Sequence, residues 1–252
     1  MTKVEEKYSY KMKGFYSSKP FLTIEDAEHI LSIQAHPDDS DIAAGGTIAK
    51  LAREGKKVTL VVVTDGRHSM VDISVPAWKF IKTRQEEQKK AAQILGVDKV
   101  IFLDYHDQTL DSTLELRRRL IDVIRENKPD IVMTHDPWKP YEGNRDHRNT
   151  GITAVDAAGF AWDPYENPEK PAGLHMVMEM LLFNPFQPDT WVDITDTIDL
   201  KVKAISQHVS QSGSAIAEIV KERNAMEGKA INRPYAEAFK VLKRGFPYVW
   251  EA

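Results

Sequence analysis

The densest chemistry in this chain lies in five consecutive residues, Ala35-His36-Pro37-Asp38-Asp39. An imidazole and a carboxylate three residues apart can converge on one cation at a turn, and Pro37 stiffens the turn between them. Asp38 sits beside that pair. It is placed to take the proton of a water that the cation has acidified. Taken alone, the tetrapeptide His36 to Asp39 is equally well a loop with an N-capping Asp, because Asp and Pro populate turns freely. The remainder of the chain has to decide between the two.

Further clusters of the same kind recur. They are Thr64-Asp65-Gly66-Arg67-His68, Asp104-Tyr105-His106-Asp107, and Thr134-His135-Asp136-Pro137-Trp138 followed by Asn144-Arg145-Asp146-His147-Arg148. There is no cysteine. Disulfides, thiolate ligands and a cysteine nucleophile are therefore excluded, and any metal rests on His, Asp, Glu or carbonyl oxygen. This ligand set suits zinc or another divalent transition metal. A catalytic zinc takes three protein ligands and keeps one position open. His36 and Asp39 supply two. The third is one of His68, His106, His135 or His147, and spacing does not choose among them. Gly45-Gly46 follows no Gly-x-Gly-x-x-Gly pattern, so a dinucleotide fingerprint is absent and close helix packing is the expected use of these glycines. His29, His175 and His208 have no acidic neighbour pattern of the kind seen in the clusters and read as structural.

Short apolar runs alternate with helical patterns and would position these clusters. Ile30-Leu31-Ser32-Ile33 leads into His36. A helix is expected from about Asp41 to a stop at Gly55. Val58–Val63 is β-branched and reads as a buried strand. Trp78–Leu95 reads as a helix, Val100–Leu103 as a strand, Thr113–Asn127 as a helix and Asp130–Thr134 as a strand. The order predicts an α/β fold: a Rossmann-like, doubly wound, mostly parallel sheet with helices on both faces in a single domain. On such sheets, sites gather at the carboxyl ends of the strands, where all four clusters fall. The second half is less regular. Trp162–Pro171 reads as a surface loop, Val177–Phe183 as a strand, and Asp199–Val209 and Ala215–Arg223 as helices. The expected organisation is one domain over residues 1–252, with an N-terminal extension at 1–25 and a C-terminal helical segment at 213–252.

Hydrophobic residues make up 42% of the 252, enough for a substantial core, and the net charge of −4 gives no electrostatic ground for a nucleic-acid partner. Met1–Lys19 is polar and lacks the apolar core of a signal peptide. The apolar run Leu60–Val63 is far too short to span a bilayer. A cytoplasmic protein without a membrane partner is expected.

Ala35-His36-Pro37-Asp38-Asp39, Gly45-Gly46-Thr47-Ile48-Ala49 and Glu54-Gly55 resemble the opening of the PIG-L/LmbE-like de-N-acetylases. Val61–Gly66 resembles that family's second strand and its loop. Arg84-Gln85-Glu86-Glu87 with Leu95-Gly96-Val97 resembles its next helix, and Asp146-His147-Arg148 its later metal motif. Val192-Asp193-Ile194-Thr195 and His208-Val209-Ser210-Gln211 resemble its C-terminal pattern. The likeness runs from about residue 30 to about residue 240.

The resemblance implies a zinc-dependent hydrolase that removes an acetyl group from an N-acetylated amino sugar or related small-molecule conjugate. It implies His36, Asp39 and His147 as metal ligands and Asp38 as general base. Arg84 and Asp107 match places where family members contact substrate, and Asp65 and His135 are expected to line the same pocket. Family members are often oligomers, and a homo-oligomer is expected on that ground. One departure stands out. The family's later motif is His-x-Asp-His, whereas this chain has Asn144 in the first position. An Asn amide can donate to a developing oxyanion, which makes Asn144 a catalytic candidate, but it cannot protonate a leaving amine. The alternatives are a metal- or sugar-binding homologue impaired in catalysis, and an amidase for another N-acyl substrate.

Overall fold

The computed structural model describes residues 24–69, 74–168, 170, 173–245 and 249–251. The expected N-terminal extension lies, up to residue 23, outside the described residues. Eight strands form one sheet among these residues: β1 (His29–Gln34), β2 (Lys57–Thr64), β3 (Lys99–Tyr105), β4 (Ile131–His135), β5 (Glu179–Phe183), β6 (Thr190–Asp193), β7 (Ala236–Gly245) and β8 (Val249–Glu251). Their order is β3-β2-β1-β4-β5-β7-β6, with β8 paired to β7. The five from β3 to β5 run parallel, and β7 then joins antiparallel.

Both faces of the parallel part are covered, which is why its strands read as continuous apolar runs. Every residue of β1 is buried. Ile30 packs with α1 (Asp39–Arg53), α2 (Ala77–Leu95) and α5 (Ile198–Ile205) on one face; Leu31 and Ile33 pack with α3 (Leu114–Asn127) and α4 (Arg145–Phe160) on the other. This alternation is the period of two that a strand imposes. The expected doubly wound, mostly parallel sheet is therefore present. From β1 the chain first builds β2 and β3 on one side, then crosses to β4 on the other. That reversal opens a crevice at the carboxyl ends of β1 and β4. No helix among the described residues is long and apolar enough to cross a membrane.

Two elements depart from expectation. Arg145–Phe160 forms a helix that the sequence reading left unassigned. Its Gly151 and Gly159 depress local helix propensity, yet Gly151 is what lets the helix approach β4: a Cβ there would lie 2.6 Å from the His135 carbonyl oxygen. The C-terminal segment is helical only over α6 (Gly213–Gly228), and Ala236–Gly245 is a ten-residue strand. Ala, Glu and Lys in that stretch favour helix locally. Pairing with β5 and β6 on either side overrides the preference.

The new strand brings a buried charge. Glu237 meets Lys201 of α5 at 2.6 Å, with both side chains fully buried. The same carboxylate accepts the backbone N–H groups of Gly46 at 2.8 Å and Thr47 at 2.7 Å. Gly46 is required here because a Cβ would fall 2.7–2.9 Å from Ile194. The Gly45-Gly46 pair thus serves close packing, as expected. Removing one partner of a buried ion pair leaves the other charge uncompensated. Glu237→Ala is expected to lower unfolding free energy by about 3–5 kcal/mol, read from urea denaturation; a loss below about 1 kcal/mol, the surface-pair range, would show that the pair does not anchor α1.

Candidate active site and metal centre

The turn after β1 delivers His36, Pro37 and Asp38 to the crevice, and α1 begins at Asp39. Asp39 folds back on this turn. Its Oδ2 accepts the His36 backbone N–H at 2.7 Å. The carboxylate then lies among three imidazoles. His36 Nδ1 is 3.4 Å away, His135 Nε2 3.2 Å and His147 Nε2 3.3 Å. His135 is the last residue of β4 and His147 lies in the first turn of α4. Their rings stack at 4.2 Å with planes 15° apart. Gly151, one turn further along α4, sets the approach that makes this stacking possible.

Burial opposes ionisation of Asp39, but the imidazoles of His147, His135 and His36 outweigh it and hold the carboxyl well below the usual range. Burial likewise disfavours the charged form of His36, yet Asp39, Asp107 and Asp146 raise its pKa well above 6.5. His147 is also raised, burial notwithstanding, by Asp39. His135 behaves oppositely: burial dominates and pushes it down to about 4. His135 Nε2 lies 3.2 Å from the Asp39 carboxylate and also faces the Ala35 backbone N–H at 3.3 Å, while His36 and His147 turn further ring nitrogens toward the same carboxylate.

Donor atoms of His36, Asp39 and His147 all lie within 4.8 Å of one another. Two imidazole nitrogens and a carboxylate oxygen are the donor chemistry of a catalytic zinc site. A second triple, His36, Asp107 and Asp146, meets the same distance limit and is buried throughout. It shares the imidazole but uses its other side. Nε2 of His36 lies 3.2 Å from Asp107 and 3.3 Å from Asp146. These carboxylates also accept the backbone N–H groups of His68, Gln108 and Leu110. Such carboxylate partners fix the tautomer and direction of a ligating imidazole, leaving Nδ1 for the cation. The residues present therefore fit a divalent metal at His36, Asp39 and His147.

The crevice collects some expected residues and not others. Of the four possible third ligands, His135 and His147 reach Asp39; His68 and His106 instead contact each other, with ring centroids 5.4 Å apart. Asp65 is 3% exposed and spends its carboxylate on Arg67, at 2.9 and 2.6 Å. Asp107 is 2% exposed and backs His36. Arg84, expected at the substrate, is 1% exposed. Its guanidinium donates to Asp38 Oδ2 at 2.9 Å, to Gly66 O at 3.0 Å and to Pro37 O. It fills the place where a side chain on Gly66 would sit. These three side chains brace the site from behind.

Asn144 also has a structural task. It is the N-cap of α4, and its Oδ1 accepts the N–H groups of Asp146 at 2.9 Å and His147 at 3.3 Å. Its first role is to start the helix that presents both residues. Several functional residues escaped the sequence reading. Asp146 lay in a recognised motif but was not assigned a task. Glu142, 3.7 Å from His147 Nδ1, lies in the 138–143 loop, which reads as pocket lining, but nothing in the sequence singles it out there.

The family model described as GlcNAc-PI de-N-acetylase, PIG-L, matches residues 31–158. A diacetylchitobiose deacetylase of Thermococcus kodakarensis is 34% identical over 242 residues, covering 93% of this chain and 90% of the relative. A 4-oxalmesaconate hydratase of Pseudomonas putida is 31% identical, covering 88% of this chain and 90% of the relative. The solved N,N'-diacetylchitobiose deacetylase of Pyrococcus horikoshii, complexed with an inhibitor, superposes with a TM-score of 0.82 at 33% identity, covering 96% of this chain and 94% of that one.

Burial pushes the Asp38 carboxyl up to about 6, and the Arg84 cation works against that rise. Arg84→Met removes the cation. The acid limb of the rate profile, where Asp38 loses its proton, is expected to move to higher pH. A limb unchanged between the two proteins in kcat/KM measured from pH 4 to 9 would show that Arg84 does not set the Asp38 charge.

Proposed function

The chain belongs to the PIG-L family of de-N-acetylases, and from that premise and the site geometry we propose that it hydrolyses the N-acetyl group of a small amino-sugar conjugate, with zinc held by His36, Asp39 and His147 and Asp38 as general base. The observation that carries this reading is the Asp39 carboxylate set among imidazoles from three elements, with the buried Asp38–Arg84 pair beside it. A divalent cation there supplies Lewis acidity toward the acetyl carbonyl and acidifies a water near neutral pH.

Asp38 takes the water's proton. A carboxyl pushed up to about 6 is ionised at neutral pH and still basic enough for the task. A carbon–oxygen bond forms at the acetyl carbon and the carbon–nitrogen bond breaks. The proton passes from Asp38 to the leaving nitrogen, giving acetate and a free amine. His135, down at about 4, is neutral at that pH and supplies no proton. Its part is to hold Asp39. Asp107 and Asp146 hold His36, and Asn144 holds the first turn under His147.

The test combines metal analysis with acetate release from N-acetylglucosamine and N,N'-diacetylchitobiose. The purified protein is expected to carry one zinc, to lose activity on chelation and to regain it on zinc addition. His36→Ala and Asp39→Ala should lose both metal and activity. Asp38→Ala should keep the metal and lose roughly 10²–10⁴-fold in kcat. Iron, manganese or cobalt in place of zinc would correct the metal alone. Because one relative is a 4-oxalmesaconate hydratase, a parallel arm follows the loss of absorbance of 4-oxalmesaconate; turnover there without acetate release would replace the hydrolase reading.

A second measurement separates the two roles of Asn144. Asn144→Asp keeps the capping oxygen but removes the amide donor. It is expected to retain kcat within a few-fold, whereas Asn144→Ala should cost about 1 kcal/mol of stability and weaken metal binding. A collapse of kcat in Asn144→Asp with metal retained would restore the oxyanion role.

A further inference from the structure

Asp38 has an unusual backbone. Seven other described non-glycine residues have positive φ, all between 50° and 61°, inside the left-handed helical well. Asp38 stands apart at φ 119°, ψ −27°. Sparsely populated conformations persist only where their surroundings over-determine them. The surroundings of Asp38 are therefore informative, and this reasoning rests on the reading of Asp38 as the general base.

One helix holds this residue from two positions a turn apart. Arg84 of α2 donates to the Asp38 carboxylate and to the carbonyl before it. Gln88, four residues on and on the same helix face, takes the backbone: its Oε1 accepts the Asp38 N–H at 2.8 Å. Gln88 is fully buried. Its amide has a single possible orientation. Oε1 also accepts from Gln34 Nε2 at 2.8 Å, which occupies both lone pairs, and Nε2 donates to Asp41 Oδ2 at 2.8 Å. Asp41 is held in turn by His208 Nε2 at 2.8 Å. Gln34 returns to the start of α1 by accepting the Ser40 N–H at 2.7 Å. The network thus runs from β1 through α2 to the turn after α5, and closes on the backbone of the base.

We propose that Gln88 is a positioning residue for the reaction, whose amide holds the Asp38 backbone in its strained conformation and so aims the carboxylate. With φ in an ordinary negative range the Asp38 N–H would swing away from Gln88, and the carboxylate would leave Arg84 or drag it. A merely structural Gln88 would contribute to stability without controlling the direction of Asp38.

Gln88→Met keeps length and volume but removes the amide. It is expected to fold, to bind the same amount of metal and to hold KM for N,N'-diacetylchitobiose within about twofold, while kcat falls by roughly 10²-fold. In its crystal structure, Asp38 φ should leave the value near 119° seen in wild type. Gln88→Glu paired with Asp41→Asn reverses the polarity of the 2.8 Å contact and keeps the acceptor for the Asp38 N–H. This pair is expected to recover most of kcat, and Gln88→Glu alone, which opposes two carboxylates, is not. If Gln88→Met fails to fold, the comparison of Gln88→Glu with the paired variant decides. Unchanged Asp38 φ in Gln88→Met, unchanged kcat, or no recovery in the paired variant would overturn the proposal. Should wild type release no acetate, the deacetylase reading fails, and the Asp38 φ of Gln88→Met still decides the role of Gln88.

Discussion

A carboxylate removed from water has to be matched by charge and by hydrogen bonds, and Asp39 is where this chain meets that demand. Its partners come from three places far apart in sequence: the turn after β1, the end of β4 and the first turn of α4. His36 is local to Asp39, three residues before it, but His135 and His147 become its neighbours only once the sheet exists. Two of the imidazoles also have carboxylates of their own, Asp107 and Asp146 behind His36 and Glu142 near His147. The same requirement is met elsewhere by Lys201 and Glu237, which tie the middle of α1 to the far side of the sheet. The helix that starts at Asp39 is therefore held by buried charge at its first residue and again at Gly46 and Thr47. Site and scaffold share one construction rule at these two places: each buried ion meets a partner from another element.

Much of this was legible in the sequence, for physical reasons that differ by element. The parallel core could be read because a strand covered on both faces is apolar throughout, as β1 and β2 are. The reversal between β1 and β4 follows from the order of those strands, and it places His36 and His135 at one crevice. The ligand pair His36 and Asp39 could be read from spacing alone as a possibility. Its third member could not, since four histidines lay at plausible strand ends. Three-dimensional convergence on one carboxylate separates His147 from His68 and His106.

What stayed hidden was set by tertiary contact. α4 is rich in glycine and alanine, and its signal as a helix is weak. Its position depends on Gly151 passing close to the His135 carbonyl, a contact with no trace in local pattern. β7 is composed of good helix formers and becomes a strand because β5 and β6 flank it. Arg84 and Asp107 were assigned to the substrate on resemblance; both are buried here, Arg84 against Asp38 and Asp107 against His36, contacts that no local pattern announces. His208 was set aside as structural for lack of an acidic neighbour in sequence. Its neighbour is Asp41, 167 residues away.

The exchange at Asn144 ties these strands of argument together. A histidine at a helix N-cap position can be a charged donor toward a substrate. An asparagine there is instead among the best capping residues, and this one gives its oxygen to Asp146, which backs His36, and to His147, the proposed third ligand. The substitution exchanges a proton carrier for a firmer helix start. In the proposed reaction, proton handling then falls to Asp38, since His135 is held neutral and His36 and His147 face Asp39. A base that must both accept and return a proton needs a fixed direction more than one assisted by a second acid. The two-handed grip of α2 on Asp38, at its carboxylate through Arg84 and at its backbone through Gln88, supplies that direction.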